Sequence, residues 1–161
     1  ATLARRQERE LRAWLQGGAK PRPDQNMADA LRAAAAEVEE EHGVVVDVVV
    51  VGDCPLDEHV AALVAAAREA MVNAAKFAAS AGPVQVYAEA GPEHVQVFVR
   101  DRGPGFDPDA VPSDRHGIRE SIIGRIHRHG GRAEVRAEAG LGTEVELEVK
   151  RASTSNGGEQ P

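Results

Sequence analysis

Glu69, Asn73 and Lys76 follow one another at intervals of four and three residues, the spacing that sets side chains on one face of an α-helix. A carboxylate, an amide and an ammonium so placed can be a solvated surface held by an acid–base pairing. They can also form one wall of a crevice, where the amide oxygen takes a hard cation and the ammonium offsets phosphate charge. The neighbours suggest a crevice and leave the solvated face open, because Ala62, Ala65, Ala66 and Val72 flank the trio where a washed surface would carry Lys and Glu. Downstream, the stretch DRGPGFD (101–107) follows an alternating segment. Its first aspartate can accept a hydrogen bond from an exocyclic amine, and Gly103 and Gly105 let backbone pass a flat ring without Cβ interference. The same D-x-G-x-G pattern occurs in ordinary turns. A calcium loop is excluded, since Asp101, Asp107 and Asp109 lack its spacing and its terminal glutamate.

Two further glycine motifs lie beyond it. In HGIRES (116–121) Gly117 precedes an expected helix start, where backbone amides favour phosphate oxygens and Arg115 and Arg119 add positive charge. A plain loop-to-helix junction would read the same way. GLGT (140–143) can be a hairpin turn between two strands or a third ligand loop. Neither it nor GPGFDP has the spacing of a dinucleotide fingerprint or a P-loop.

These residues need elements to hold them. An Ala/Glu-rich stretch from Met27 to His42, with Gly43 after it, predicts a helix and its glycine cap. Residues 44–51 predict a Val-rich buried strand. A long helix is expected from about Asp57 to about Ser80, with Val60, Leu63, Val64, Ala67, Met71, Ala74 and Ala78 as its apolar stripe. Alternation at Val84/Val86/Ala88, Val95/Val97/Val99 and Val145/Leu147/Val149 predicts three one-faced strands, and Ala133/Val135/Ala137 a weaker fourth. A shorter helix is expected from about Glu120 to His129, and residues 101–112 read as loop. The implied fold is α+β, a two-layer sandwich with a mixed sheet of about five strands covered on one face by about three helices.

Length and composition set the outer limits. The chain has 161 residues, enough for one hydrophobic core. Only 3% of it is aromatic, so Ala and Val must fill that core. The net charge of −7 argues against a nucleic-acid partner. One cysteine, Cys54, offers no disulfide and no metal cluster. The longest apolar run, 44–51, is interrupted by Asp47 and falls far short of the roughly 20 residues of a membrane helix. Residues 1–16 read as the end of an amphipathic helix, 17–26 as a Gly/Pro linker, 27–150 as the domain and 151–161 as a disordered tail. A start without Met, inside a helical pattern, suggests a piece of a longer protein.

Taken in order, E-x-x-x-N-x-x-K on a helix, D-x-G-x-G after a strand, a glycine-led helix start and G-x-G-T before a final strand resemble the GHKL (Bergerat-fold) ATPase superfamily. EAMVNAAKF looks like its N box, DRGPGFD its G1 box, HGIRESIIGRI its G2 region with the ATP lid before it, and GLGT its last glycine motif. The wording is most similar to sensor histidine kinases of actinobacterial type, and LARRQERELRAWL is similar to the end of their dimerisation helix. The resemblance implies that Asn73 ligates a Mg²⁺ bridging the phosphates of ATP, that Lys76 touches those phosphates, and that Asp101 holds the adenine amino group with Thr143 in support. Gly103, Gly105 and Gly117, with His116 and Ile118, belong to loops closing over the nucleotide. Glu69 occupies the acidic position of the N box, a catalytic role in relatives. Phe77 departs from the Tyr or His of many relatives, so no phosphate contact carries over there. None of the six histidines lies in the first segment, so the implied phosphoacceptor is outside this chain, on a dimerisation helix of its own or a partner subunit. A response regulator would receive the phosphoryl group, and the whole protein would be a cytoplasmic or membrane-anchored homodimer. A serine-kinase anti-sigma factor on the same fold, an ATP-binding pseudokinase and a nucleotide-independent interaction domain remain as alternatives.

Overall fold

The computed structural model describes residues 25–78, 82–104 and 113–152. Helix α1 spans Met27–His42; Asn26 caps its start by accepting from the Asp29 amide at 3.2 Å, and Gly43 closes it at φ 65° with its N–H on the Glu39 carbonyl. Strand β1 is Val46–Val51. Asp57 then caps helix α2, Glu58–Ala78, through the Val60 amide at 2.9 Å. Strands β2 (Val84–Ala90) and β3 (His94–Asp101) precede helix α3 (Ser113–Arg128), and β4 (Arg132–Glu138) and β5 (Gly142–Lys150) complete the described order.

The five strands form one mixed sheet in the order β1-β2-β3-β5-β4, parallel between β1 and β2 and antiparallel elsewhere. Period-2 alternation turns Val84, Val86, Ala88, Val95, Val97, Val99, Val145, Leu147 and Val149 to one face, all buried against the helices. From the helices, Leu31, Val38, Val60, Leu63, Ala66, Ala67, Met71, Ile122 and Ile126 meet them. The opposite face of the sheet is open. Among the described residues, the α+β sandwich of five strands and three helices is the arrangement that the alternation and the helical stripe implied, and it matches the Bergerat fold expected from the resemblance. None of the described helices is long and apolar enough to cross a membrane.

Two expectations change. Residues 44–51 are not a strand buried on both faces: β1 lies at the sheet's edge, and Val45, Val49 and Val51 are exposed. A run of valines carries no period-2 signal, so sequence alone cannot separate an edge strand from a central one. One backbone donor at this edge is covered, because Val46 N–H meets a Glu39 carboxylate oxygen at 3.2 Å. The second change concerns α3, which begins at Ser113 and not near Glu120. Gly117 is therefore inside its second turn, where amides are already engaged by the helix, and the reading of HGIRES as a helix start is corrected. Gly and charged residues in 113–120 hid the helical pattern.

At the two ends of the domain, Gln25 and Asn26 belong to the fold: the Gln25 carbonyl accepts from Leu56 N–H and Asn26 bridges Pro55. Arg151 and Ala152 are also held, by Glu93, Gly91 and Asp57. Residues 1–24 and 153–161 lie outside the described residues.

Candidate functional site

Topology decides which predicted residues share a neighbourhood. Since α2 joins the parallel strands β1 and β2, it must run back along the sheet, here mainly over β3 and β5, which puts its C-terminal half toward the end of the sheet where β2 begins. Strand β3, antiparallel to β2, ends there, and β5 starts there. Glu69, Asn73 and Lys76 on α2, Asp101 at the end of β3 and Thr143 at the start of β5 therefore collect at one end of the molecule.

Within α2 the polar face is not a washed surface. Asn73 Oδ1 and Glu69 Oε2 are shut off from solvent and have no hydrogen-bond partner among the described residues. They sit one turn apart. Burying a polar oxygen without a partner costs about 1–3 kcal/mol, so two in neighbouring turns mark a place where stability has been exchanged for something else. The nearest charge to Glu69 is Arg125 of α3, with Nη1 3.8 Å from Oε2. Lys76, by contrast, is exposed.

The Asp101 corner is built differently. Asp101 Oδ1 accepts the Gly103 amide at 2.9 Å and the Thr143 amide at 3.3 Å, and Asp101 faces Thr143 in the β3–β5 register. These bonds fix the carboxylate and fold the chain tightly after β3. Gly142, at φ 99°, packs so closely that a Cβ there would overlap the Asp101 carbonyl oxygen. Gly140 N–H reaches the Pro104 carbonyl at 2.7 Å, tying the β4–β5 turn to the loop after β3. Gly103 is buried in this corner. Gly105 lies outside the described residues; His116, Gly117 and Ile118 are placed only as α3 backbone.

Arg125 and Gly142 were not singled out by sequence. Gly142 was legible in part from the G-x-G-T pattern, whereas the pairing of Arg125 with Glu69 joins two helices far apart in the chain and leaves no local signal. The size of a hollow is a poor guide here. The larger surface groove, about 540 Å³, lies on the open sheet face among Val49, Tyr87, Phe98 and their neighbours and contains none of the predicted residues. A smaller one of about 250 Å³ touches Asp101, Gly142 and Thr143. The unpartnered oxygens on α2 carry more weight than either volume, because they are the feature that folding alone does not explain.

No group of three or more His, Cys, Asp or Glu side chains able to hold a metal occurs among the described residues. A Mg²⁺ held by one or two protein oxygens and completed by phosphate oxygens needs no such cluster. The unpartnered Asn73 and Glu69 oxygens are hard donors that fit it.

Residues 58–153 match the family described as histidine kinase-, DNA gyrase B-, and HSP90-like ATPases. The fold and the match define an ATPase domain of the histidine-kinase-like type. The chain belongs to that family. No curated protein sequence matches it. Among solved structures it is similar to the histidine kinase domain of the Erythrobacter litoralis EL346 blue-light activated histidine kinase, at 21% identity and TM-score 0.63, over 85% of this chain and 67% of that one. The mycobacterial sensor histidine kinase MprB is similar at 21% identity and TM-score 0.61, over 78% of this chain and 95% of that one. ShkA, solved full-length in complex with AMPPNP, shares 27% identity and TM-score 0.62 over 81% of this chain, which spans 31% of ShkA.

Proposed function

We propose that residues 27–150 are the catalytic domain of a sensor histidine kinase, binding Mg·ATP for phosphoryl transfer to a histidine outside this chain and onward to a response regulator. The observation that supports the reading is the pair of buried oxygens of Glu69 and Asn73 that have no hydrogen-bond partner among the described residues, on the helix whose C-terminal half lies toward the Asp101 end of the sheet. In this reading Asn73, with Glu69 beside it, holds the metal, whose chemistry is to offset the phosphate charge that phosphoryl transfer must carry. Lys76 adds a cation at the mouth, suited by its exposure to reach phosphate. Asp101, fixed by two backbone amides, accepts from the adenine amino group, with Thr143 in support. Gly103, Gly105 and the His116-Gly117-Ile118 segment border the nucleotide. Residues 1–16 end a dimerisation helix and 17–26 link it to the domain; the parent is a cytoplasmic-facing homodimer of actinobacterial type. An ATP-binding pseudokinase and an anti-sigma serine kinase share the pocket and would differ in the step after binding.

Calorimetric titration of the chain with Mg·ATP and Mg·GTP tests the proposal. ATP should bind and GTP should bind markedly more weakly, because guanine presents a carbonyl where Asp101 requires an amine. Equal affinities would remove Asp101 from the site, and absence of binding to both would remove the function.

A further inference from the structure

The acid on α2 is not placed by α2 alone. Glu69 Oε2 is shut off from solvent and has no hydrogen-bond partner among the described residues, and the cation beside it, Arg125, comes from α3. Arg125 stands between Ile122 and Ile126, both fully buried in the core, so its backbone is anchored while its side chain remains partly exposed. A separation of 3.8 Å without a hydrogen bond makes the pair a charge contact and not a clamp. Such a contact acts mainly through the field it cancels: a half-buried carboxylate near a triphosphate would repel it, and a guanidinium at this distance offsets part of that repulsion.

We infer that Arg125 is a positioning residue that offsets the Glu69 carboxylate, so that the Asn73 wall of α2 can accept a polyanionic nucleotide. The inference rests on the function proposed above. It makes α3, the helix that comes after the G1 loop, part of the site through one side chain acting on another.

A double-substitution cycle on the full chain, read by Mg·ATP titration with a thermal unfolding scan of each variant, tests it. Arg125→Gln should weaken binding by about fivefold or more, as the loss of a coupled charge partner does. Arg125→Lys, which keeps the charge, should restore affinity to within about twofold, whereas a merely structural role for the guanidinium would not be rescued. Glu69→Gln removes the charge that Arg125 offsets, and in that background Arg125→Gln should change affinity by less than about twofold. If Arg125→Gln fails to fold, Arg125→Met repeats the comparison with a stem of similar length. An equal loss in both backgrounds, or no loss in either, overturns the inference while leaving ATP binding intact. If the wild-type chain binds no Mg·ATP, the underlying function fails and the inference falls with it.

Discussion

The two walls of the candidate pocket are finished to different degrees. At the Asp101 corner the carboxylate is engaged by the Gly103 and Thr143 amides, and backbone is packed against backbone at Gly142. On α2, two oxygens are buried and have no hydrogen-bond partner among the described residues. The first arrangement is what a fold does for itself, since nearly every buried polar group in a protein is satisfied. The second is a cost that folding would avoid by placing Ala or Leu at the same positions. A scaffold residue and a ligand-facing residue can thus be told apart by what each lacks when the protein is alone.

The largest effect should come from breaking the finished wall. Gly142→Ala puts a methyl group against the Asp101 carbonyl and 3.0 Å from the Arg102 Cα, at a φ of 99° that L side chains rarely adopt. A loss of about 3 kcal/mol or more is expected in a urea melt. Nucleotide affinity should fall with it, because the corner that holds Asp101 must open. A variant as stable as the wild type would mean that the corner is loose and the contrast between the walls is false.

The unfinished wall should respond in the opposite way. Asn73→Ala removes an amide whose buried Oδ1 has no hydrogen-bond partner among the described residues and puts the best helix former in its place, so the unfolding midpoint should stay level or rise. Mg·ATP affinity should nevertheless fall by at least about tenfold, the scale on which groups around a metal matter. Destabilisation by several kcal/mol would show that Asn73 is a structural residue with an unseen partner. Asp101→Asn is a gentler test of the other side. It leaves an oxygen for the Gly103 and Thr143 amides, weakened by about 1 kcal/mol through loss of charge, but it adds N–H donors toward the base. The ratio of ATP to GTP affinity should drop toward one, with stability little changed.

How much of this could be read from sequence varies by element. The strands at Val84, Val95 and Val145 were legible because one face is buried and the alternation records it; the α2 stripe was legible for the same reason at helical period. β1 was not, since a strand of consecutive valines has no face in its sequence, and the start of α3 was not, because Gly117 and the charged residues around it hide the helical pattern. In the site, the order of Glu69, Asn73, Asp101 and Thr143 pointed to the superfamily, and chain topology brings them to one end of the sheet. The orphaned state of the α2 oxygens, the lock on Asp101 and the Arg125 contact are properties of packing between distant segments, which no local pattern encodes.

The smallest effect expected is at Cys54, which applies the same logic of burial to a group with no proposed role. The residue is 5% exposed and belongs to the hydrophobic core. Burial first of all raises its pKa from 9.0; Arg151 pulls it down, and Asp53 and Asp57 add to the rise. A raised pKa means that the folded state holds the thiol proton more tightly than the unfolded chain. The resulting stability is fully present below the unfolded value near 9.0 and is lost as pH climbs through it toward the folded value. Wild type and Cys54→Ala should therefore show a constant stability difference up to about pH 8, which then shifts against the wild type at higher pH. Iodoacetamide should alkylate native Cys54 more than about tenfold slower than the urea-unfolded chain at pH 8, since only an exposed thiolate reacts. Mg·ATP should leave that rate unchanged, because Cys54 precedes α2 and lies at the end of the sheet away from Asp101. Fast alkylation of the native chain would show that burial in this domain does not isolate a polar atom, and the orphaned oxygens of Glu69 and Asn73 would then lose their meaning as well.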